Sequence, residues 1–321
     1  MGHAVFAEGL RKRFDKKWAL DGFDLAVPAG TVCGLLGPNG AGKTTAVRIL
    51  ATLLRLDGGR AEVAGHDVAR EAPAVRRQVA LNGQQSTVDD VLTGRENLVM
   101  WGRLYHLSQR QAAHRADELL EQFGLADAAD KRAKHYSGGM RRRLDLASSF
   151  ITRPSVLFLD EPTTGLDPRN RGEVWREVKR VVAEGTTVLL TTQYLDEADQ
   201  LADQIVVMDT GRVAAHGTPD QLKSKLGGDR IEVVVRDADE LPLVAAVLGP
   251  DAEVDPDSFR VSAAVADRVA ALTRVTSALA AKGVEAEDIA LRRPTLDDVF
   301  LAITGHKAVP TSGSTSLGVR A

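Results

Sequence analysis

The chain has 321 residues, enough for one large domain and a smaller second one. Hydrophobic residues make up 44% and charged residues 26%, an ordinary globular balance, and the net charge of -3 leaves no electrostatic footprint for nucleic acid or an anionic membrane surface. The one cysteine, Cys33, excludes an intramolecular disulfide, and its setting "TVCGLLG" reads as a packing thiol rather than a reactive one. The opening "MGHAVFAEGLRKRF" has no apolar signal core, and no window approaches the ~18 continuous apolar residues of a membrane span. The expectation is a cytosolic, reducing compartment.

From about residue 1 to 225, apolar runs of strand length alternate with longer amphipathic segments. The runs are "TVCGLLG" (31–37), "VLFLD" (156–160), "TTVLLT" (186–191) and "QIVVMD" (204–209). This alternation predicts an α/β fold with a largely parallel, covered sheet. Residues 89–150 are rich in Leu, Ala, Arg and Glu, with helical spacing in "RADELLEQFGL", and read as a helical insert between two halves of the sheet. Paired glycines in "LGGD" (226–229) mark a boundary, giving domains 1–228 and 229–305. Past it the pattern is β-α-β-β-α-β, closing on a short helix signalled by Pro294 and the capping sequence "TLDD". The tail 306–321 is small, polar and expected to be disordered.

"GPNGAGKTT" fits the P-loop pattern G-x-x-x-x-G-K-[ST]. Its residues are Gly37, Pro38, Asn39, Gly40, Ala41, Gly42, Lys43, Thr44 and Thr45. The glycines let the backbone turn tightly and aim N–H groups at phosphate oxygens. Lys43 brings a compact charge to the β/γ-phosphates, the Thr44 hydroxyl is a Mg²⁺ ligand, and the following helix directs its positive end at the anion. A dinucleotide site is the competing reading, but "GAGKTT" lacks the last glycine of G-x-G-x-x-G. "SVLFLDEP" supplies the second acid that a P-loop requires. Asp160, at the end of an apolar run, would hold Mg²⁺ through water, and Glu161 is placed to act as general base on the attacking water. The plainer and less favoured reading of the pair is two surface acids after a strand, and the P-loop disfavours it further.

With "YSGGM" at Tyr136 to Met140, the chain resembles the ATP-binding-cassette (ABC) ATPases. Ser137 offers a hydroxyl, Gly138 and Gly139 expose N–H groups, and a helix follows. The resemblance implies a P-loop NTPase domain with a mixed sheet core and a helical signature subdomain, followed by a small α+β domain. It also implies that this signature loop binds the γ-phosphate of ATP held by another subunit. One P-loop and one signature per chain then imply a head-to-tail homodimer with two ATP at the interface. Phe14 stands where the family stacks an aromatic on adenine, with Trp18 as the nearby alternative and a core aromatic as the plain reading. Gln84, or the adjacent Gln85, resembles the Q-loop glutamine that contacts metal and water. "TTGLDP" resembles the D-loop, with Asp167 reaching across the dimer. These matches run over about residues 5–220 in the family's order.

"LTGRENL", "YSGGMRRRLDLA", "TTQYLDEADQLAD" and the closing "PTLDDVF" resemble the daunorubicin/doxorubicin-resistance type of exporter ATPase. That resemblance implies a separate ABC-2 type permease, a peripheral place on the cytoplasmic side of the membrane, and no nucleic-acid partner. A lipid, polysaccharide or metabolite exporter would use a similar cassette. A ribosome- or DNA-acting ABC factor and a module that no longer hydrolyses ATP are the other readings. The triple arginine Arg141 to Arg143 reads as a solvated helix face, with nucleotide or partner as alternatives. Gln193 follows "TTVLLT" where most ABC ATPases carry a switch histidine. Its amide still donates to phosphate but does not titrate near pH 7, so the expectation is a retuned γ-phosphate sensor.

Overall fold

The structure, a computed structural model, describes residues 2–83, 87–224, 229–292 and 295–305. Pro294 and the tail from His306 lie outside the described residues. The chain divides between Thr218 and Pro219 into two compact units.

In chain order the first unit holds β1 (His3–Phe14), β2 (Lys17–Pro28), β3 (Val32–Leu36), α1 (Lys43–Leu50), β4 (Gly58–Val63), β5 (His66–Asp67), α2 (Ala72–Gln78), β6 (Val79–Asn82), α3 (Gly94–Leu104), α4 (Gln109–Gln122), α5 (Gly138–Ser148), β7 (Val156–Asp160), α6 (Pro168–Ala183), β8 (Thr187–Thr192), α7 (Leu195–Leu201), β9 (Gln204–Asp209) and β10 (Arg212–Gly217). Six strands form the central sheet in the order β10-β9-β3-β8-β7-β6, parallel except for the edge strand β10. Every residue of β3, β7 and β8 is buried. Alternate side chains feed opposite cores. Val156 and Phe158 join one cluster with α1 and the N-terminal strands, while Leu157 and Leu159 join another with α4, α5 and α6. A strand buried on both faces is mostly apolar, which is why these segments read as near-continuous runs, with polar residues kept near strand ends, such as Asp160 and Thr192. Each such side chain contributes about 1.5–3 kcal/mol. Cys33 lies in the first cluster, and burial pushes its thiol up to about 12, as expected of a packing residue.

A second, antiparallel sheet, β2-β1-β4-β5, was not foreseen from sequence. Its long strands carry register shifts, one of them between Ala7 and Leu10 of β1. Val5 and Ala7 are buried in step, but Leu10 enters the core out of phase, so the period-2 signal breaks. The helical insert leaves from β6 and returns to β7, which pair directly. Capping boxes at Thr93/Glu96 and Ser108/Gln111 start α3 and α4.

The second unit holds α8 (Pro219–Ser224), β11 (Asp229–Val235), α9 (Leu241–Leu248), β12 (Glu253–Asp255), β13 (Arg260–Val265), α10 (Arg268–Ala281), β14 (Ala286–Arg292) and α11 (Leu296–Thr304). Its antiparallel sheet has the order β12-β13-β11-β14, with α9 and α10 covering one face over Ile231, Val233 and Val261. Helix α8 packs on α11, which accounts for its inclusion in this unit. Among the described residues no helix is long and apolar enough to cross a membrane.

Candidate functional site

Parallel strands bring their C-terminal ends to one edge of a sheet, where ligands bind. In the central sheet Leu36 of β3 lies beside Thr192 of β8, and Thr191 lies beside Asp160 of β7. The P-loop, both acids and the segment after β8 therefore leave the sheet side by side. Residues 37–42 link β3 to α1. Gly42 has a φ of 107° and a Cβ there would strike the Ala19 carbonyl, while a Cβ on Gly37 would stand 2.5 Å from the Met208 carbonyl oxygen. Ala41 is buried and tethered, its N–H donating to the Pro38 carbonyl at 3.1 Å and its carbonyl accepting from Gly211 at 2.9 Å. Lys43 Nζ donates to the carbonyls of Gly37 (2.7 Å) and Pro38 (3.1 Å). Burial lowers the Lys43 pKa, and the charges of Glu161 and Asp160 oppose that shift.

Asp160 is buried, and the Thr191 hydroxyl donates to its Oδ1 at 2.5 Å. The Thr44 hydroxyl stands 3.3 Å from Oδ2 and 3.4 Å from Oδ1. Two hard oxygen donors thus meet beside a buried lysine, which suits a magnesium ion rather than a soft metal. Glu161 has a left-handed backbone, φ 53°, held by its N–H donating to both the carbonyl (3.0 Å) and hydroxyl (3.2 Å) of Thr191. Such a conformation costs about 1–3 kcal/mol in a non-glycine residue and clusters at functional sites. The Thr164 hydroxyl donates to Glu161 Oε2 at 3.2 Å. Thr191 and Thr164 were not assigned roles from sequence. Thr191 is one of three threonines in β8, "TVLLTT", so its residue type alone did not single it out.

Phe14, Asn39, Lys43, Thr44, Thr45 and Glu161 line one cavity of about 330 Å³. Gly40 and Gly42 belong to its wall, and so do Lys17 and Ala19, which sequence reasoning missed. Phe14 is 50% exposed at its mouth, and Trp18 is not part of the lining. None of Ser137, Gly138, Gly139, Asp167 or Gln193 lines this cavity either. Ser137 caps α5, its hydroxyl accepting from Met140 N–H at 3.2 Å. Ser137 and Gly138 are exposed, while Gly139 is buried, and a Cβ there would clash with the Asn170 side chain. Asp167 caps α6, accepting from Asn170 N–H at 2.9 Å and Nδ2 at 2.5 Å, and these bonds hold its carboxyl below the usual range. Gln193 sits half-buried in the bend between β8 and α7. Gln84 and Gln85 fall outside the described residues.

Comparison with known proteins decides what this arrangement belongs to. The ABC transporter family matches residues 20–164, and the C-terminal domain family of DrrA1-3-like ATP-binding proteins matches residues 217–304. A daunorubicin resistance ATP-binding protein of Streptomyces coeruleorubidus is 63% identical over 97% of this chain and 98% of its own. The chain belongs to the ABC transporter ATP-binding proteins. A Nod factor export ATP-binding protein of Ralstonia nicotianae is 39% identical over 94% of this ABC subunit and 93% of its own length. Among solved structures, the ATP binding subunit of an ABC transporter superposes with a TM-score of 0.62 at 27% identity, over 70% of this chain and 93% of that one. The ABC subunit is accordingly an ATPase of the transport-coupled class.

One expectation needs correction. The triple arginine of this ABC subunit is not a solvated helix face. Arg141 pairs with Asp90, Arg143 with Glu173 at 3.4 Å, and Arg142 Nε donates to the Pro162 carbonyl at 2.6 Å. Asp90, Glu173 and the Pro162 carbonyl all lie outside α5, which local pattern does not reveal.

Glu197 of α7 is fully buried, and Trp175 Nε1 donates to its Oε1 at 3.2 Å. Burial raises its pKa above the ordinary 4.5, with Asp196 adding to the rise and the Thr192 and Thr163 hydroxyls and Trp175 opposing it. The folded carboxyl thus keeps a proton that the unfolded one loses. Its stabilising contribution is complete below about pH 4.5 and drains away as pH climbs through the raised value. Glu197→Gln keeps the acceptor for Trp175, so its melting temperature should exceed that of wild type by more at pH 8 than at pH 5. A gap in calorimetric Tm that stays constant with pH would contradict this.

Proposed function

We propose that this chain is the ATP-hydrolysing, energy-coupling subunit of an exporter for a drug or antibiotic of the daunorubicin type. It works as a head-to-tail pair of identical chains on a separate ABC-2 type permease, at the cytoplasmic side of the membrane. The observation that carries the ATPase reading is the cavity uniting Phe14, Lys43, Thr44 and Glu161 while the chain's own signature lies outside it. A site with base and phosphate cradle but no signature is completed by the signature of a second chain.

Phe14 stacks on adenine, and Lys43 with the loop N–H groups binds the phosphates. Thr44 and Asp160 would hold Mg²⁺, with Gln84 added by the family resemblance. Bound there, the ion would offset negative charge on the phosphates. Glu161 accepts a proton from the attacking water, and Thr164 orients its carboxylate. Gln193 donates its amide N–H to the γ-phosphate. Ser137, Gly138 and Gly139 of each chain close over the other chain's ATP, with Asp167 beside them. Loss of the γ-phosphate removes the link between chains, so the pair opens.

Removing the Gln193 donor should matter and restoring a donor should not. ATPase of Gln193→Ala should fall about 100-fold, the scale for loss of one aimed donor, while Gln193→His stays near wild type. Equal phosphate release by Gln193→Ala and wild type sinks the sensor role.

The cargo reading draws on the 63% identical relative. Inside-out vesicles carrying this chain and its permease should accumulate daunorubicin when given MgATP, and should fail to do so with Lys43→Ala. Vesicles that hydrolyse MgATP without moving daunorubicin overturn it. That outcome would favour a second reading, export of a lipid, polysaccharide or other metabolite, which the 39% identical Nod factor relative supports.

A further inference from the structure

Asp145 touches nothing in the cavity, yet it is fully buried and both its oxygens are committed. Oδ1 accepts from the Thr87 N–H at 2.7 Å and the Thr87 hydroxyl at 2.8 Å. Oδ2 accepts from Asn82 Nδ2 at 3.0 Å and from Arg142 Nη1 at 3.2 Å. Asn82 is the last residue of β6. Between Asn82 and Thr87 the sequence reads "GQQS", the segment with both Q-loop glutamines. One carboxylate therefore grips both ends of that segment. From the same turn of α5, Arg142 Nε donates to the Pro162 carbonyl at 2.6 Å, and Pro162 is the residue after Glu161. The Arg142 guanidinium is driven toward the neutral form by burial and kept charged chiefly by Asp145. The pair spans one helical turn, and its hydrogen bonds to charged groups are the strong kind.

Ser137 is the N-cap of helix α5. We infer that Arg142 and Asp145 are positioning residues for hydrolysis, which fix the Glu161 loop and both ends of the glutamine segment to the signature helix. Resting as it does on the head-to-tail reading, the inference gives the pair a specific task. When the signature of one chain engages its partner's ATP, the displacement of α5 passes through Arg142 and Asp145 to that chain's own base. Binding of nucleotide to the P-loop does not need the pair, but hydrolysis does. A role in packing alone would lower folding stability and leave the chemistry of the folded fraction unchanged.

The test uses the full chain with Asp145→Asn, Arg142→Gln and Thr87→Val. Thr87→Val removes one hydroxyl contact and leaves the ion pair whole, so a folded variant is available even if Asp145→Asn does not fold. MgATP affinity, steady-state kcat and KM, and the Hill coefficient for ATP are measured for each, with melting curves to confirm folding. The expected result is kcat at least tenfold lower in Asp145→Asn and Arg142→Gln, a smaller drop in Thr87→Val, KM and affinity within twofold of wild type, and Hill coefficients moved toward 1. Wild-type kcat in folded variants overturns the inference, as does a fall in kcat matched by an equal loss of ATP affinity. The head-to-tail reading is checked separately in the Glu161→Gln chain without these changes. If that chain does not pair on MgATP, the dimer reading fails and the coupling falls with it. If it pairs while the three variants keep wild-type kinetics, the inference alone fails.

Discussion

Glu161→Gln should bind MgATP as wild type does and release phosphate at least about 100-fold more slowly, the scale of a lost general base. The substitution is close to isosteric. The amide oxygen still accepts from the Thr164 hydroxyl, and the backbone N–H still donates to Thr191, so the strained turn after β7 keeps its anchors. Only the capacity to take a proton is lost. With glutamine rather than histidine at position 193, no imidazole follows β8 to share that task. Phosphate release at saturating MgATP, set beside a nucleotide-binding titration, reads both quantities. Turnover near wild type would reject Glu161 as the base and return attention to Gln193.

Ser137→Arg should reduce ATPase to background while leaving ATP binding to the single chain intact. Ser137 is exposed and does not line the chain's own cavity. Loss of its cap on α5 costs on the order of 1 kcal/mol, which a folded domain tolerates. The bulky cation instead occupies the surface that, in the proposed head-to-tail pair, meets the partner's γ-phosphate. A fluorescent-nucleotide titration and a phosphate-release assay on the same preparation separate the two effects. Lost nucleotide binding in the single chain would move the signature out of its role between chains and into the chain's own site.

The central strands were legible because burial on two faces selects mostly apolar residues and leaves the polar ones near the strand ends. "VLFLD" and "QIVVMD" coincide with β7 and β9 residue for residue. The order of elements in the second unit was legible for a related reason, since β11 and β13 bury one face each and alternate accordingly. The antiparallel N-terminal sheet was not, because shifts of register in β1 move Leu10 out of phase with Val5 and Ala7. The P-loop residues were legible because a phosphate cradle demands a contiguous pattern, and the structure gathers Asn39, Gly40, Gly42, Lys43, Thr44 and Thr45 around one cavity. Thr191, Thr164, Arg142 and Asp145 contact partners that only the fold brings to them. Thr87 and Asp145 are 58 positions apart, and Thr191 and Asp160 are 31 apart. No local window contains both members of either pair. The arginines of α5 show the same limit from the other side. Three consecutive cations look solvated until the carbonyl of Pro162 and the carboxylates of Asp90 and Glu173 are brought to them.

The central claim is that two copies of this chain build each ATP site together. Light scattering of the Glu161→Gln chain with and without MgATP tests it most directly. The account predicts one 321-residue chain without nucleotide and twice that mass with it, the doubling abolished by adding Ser137→Arg. A chain that saturates with ATP and keeps the mass of a single copy would contradict it.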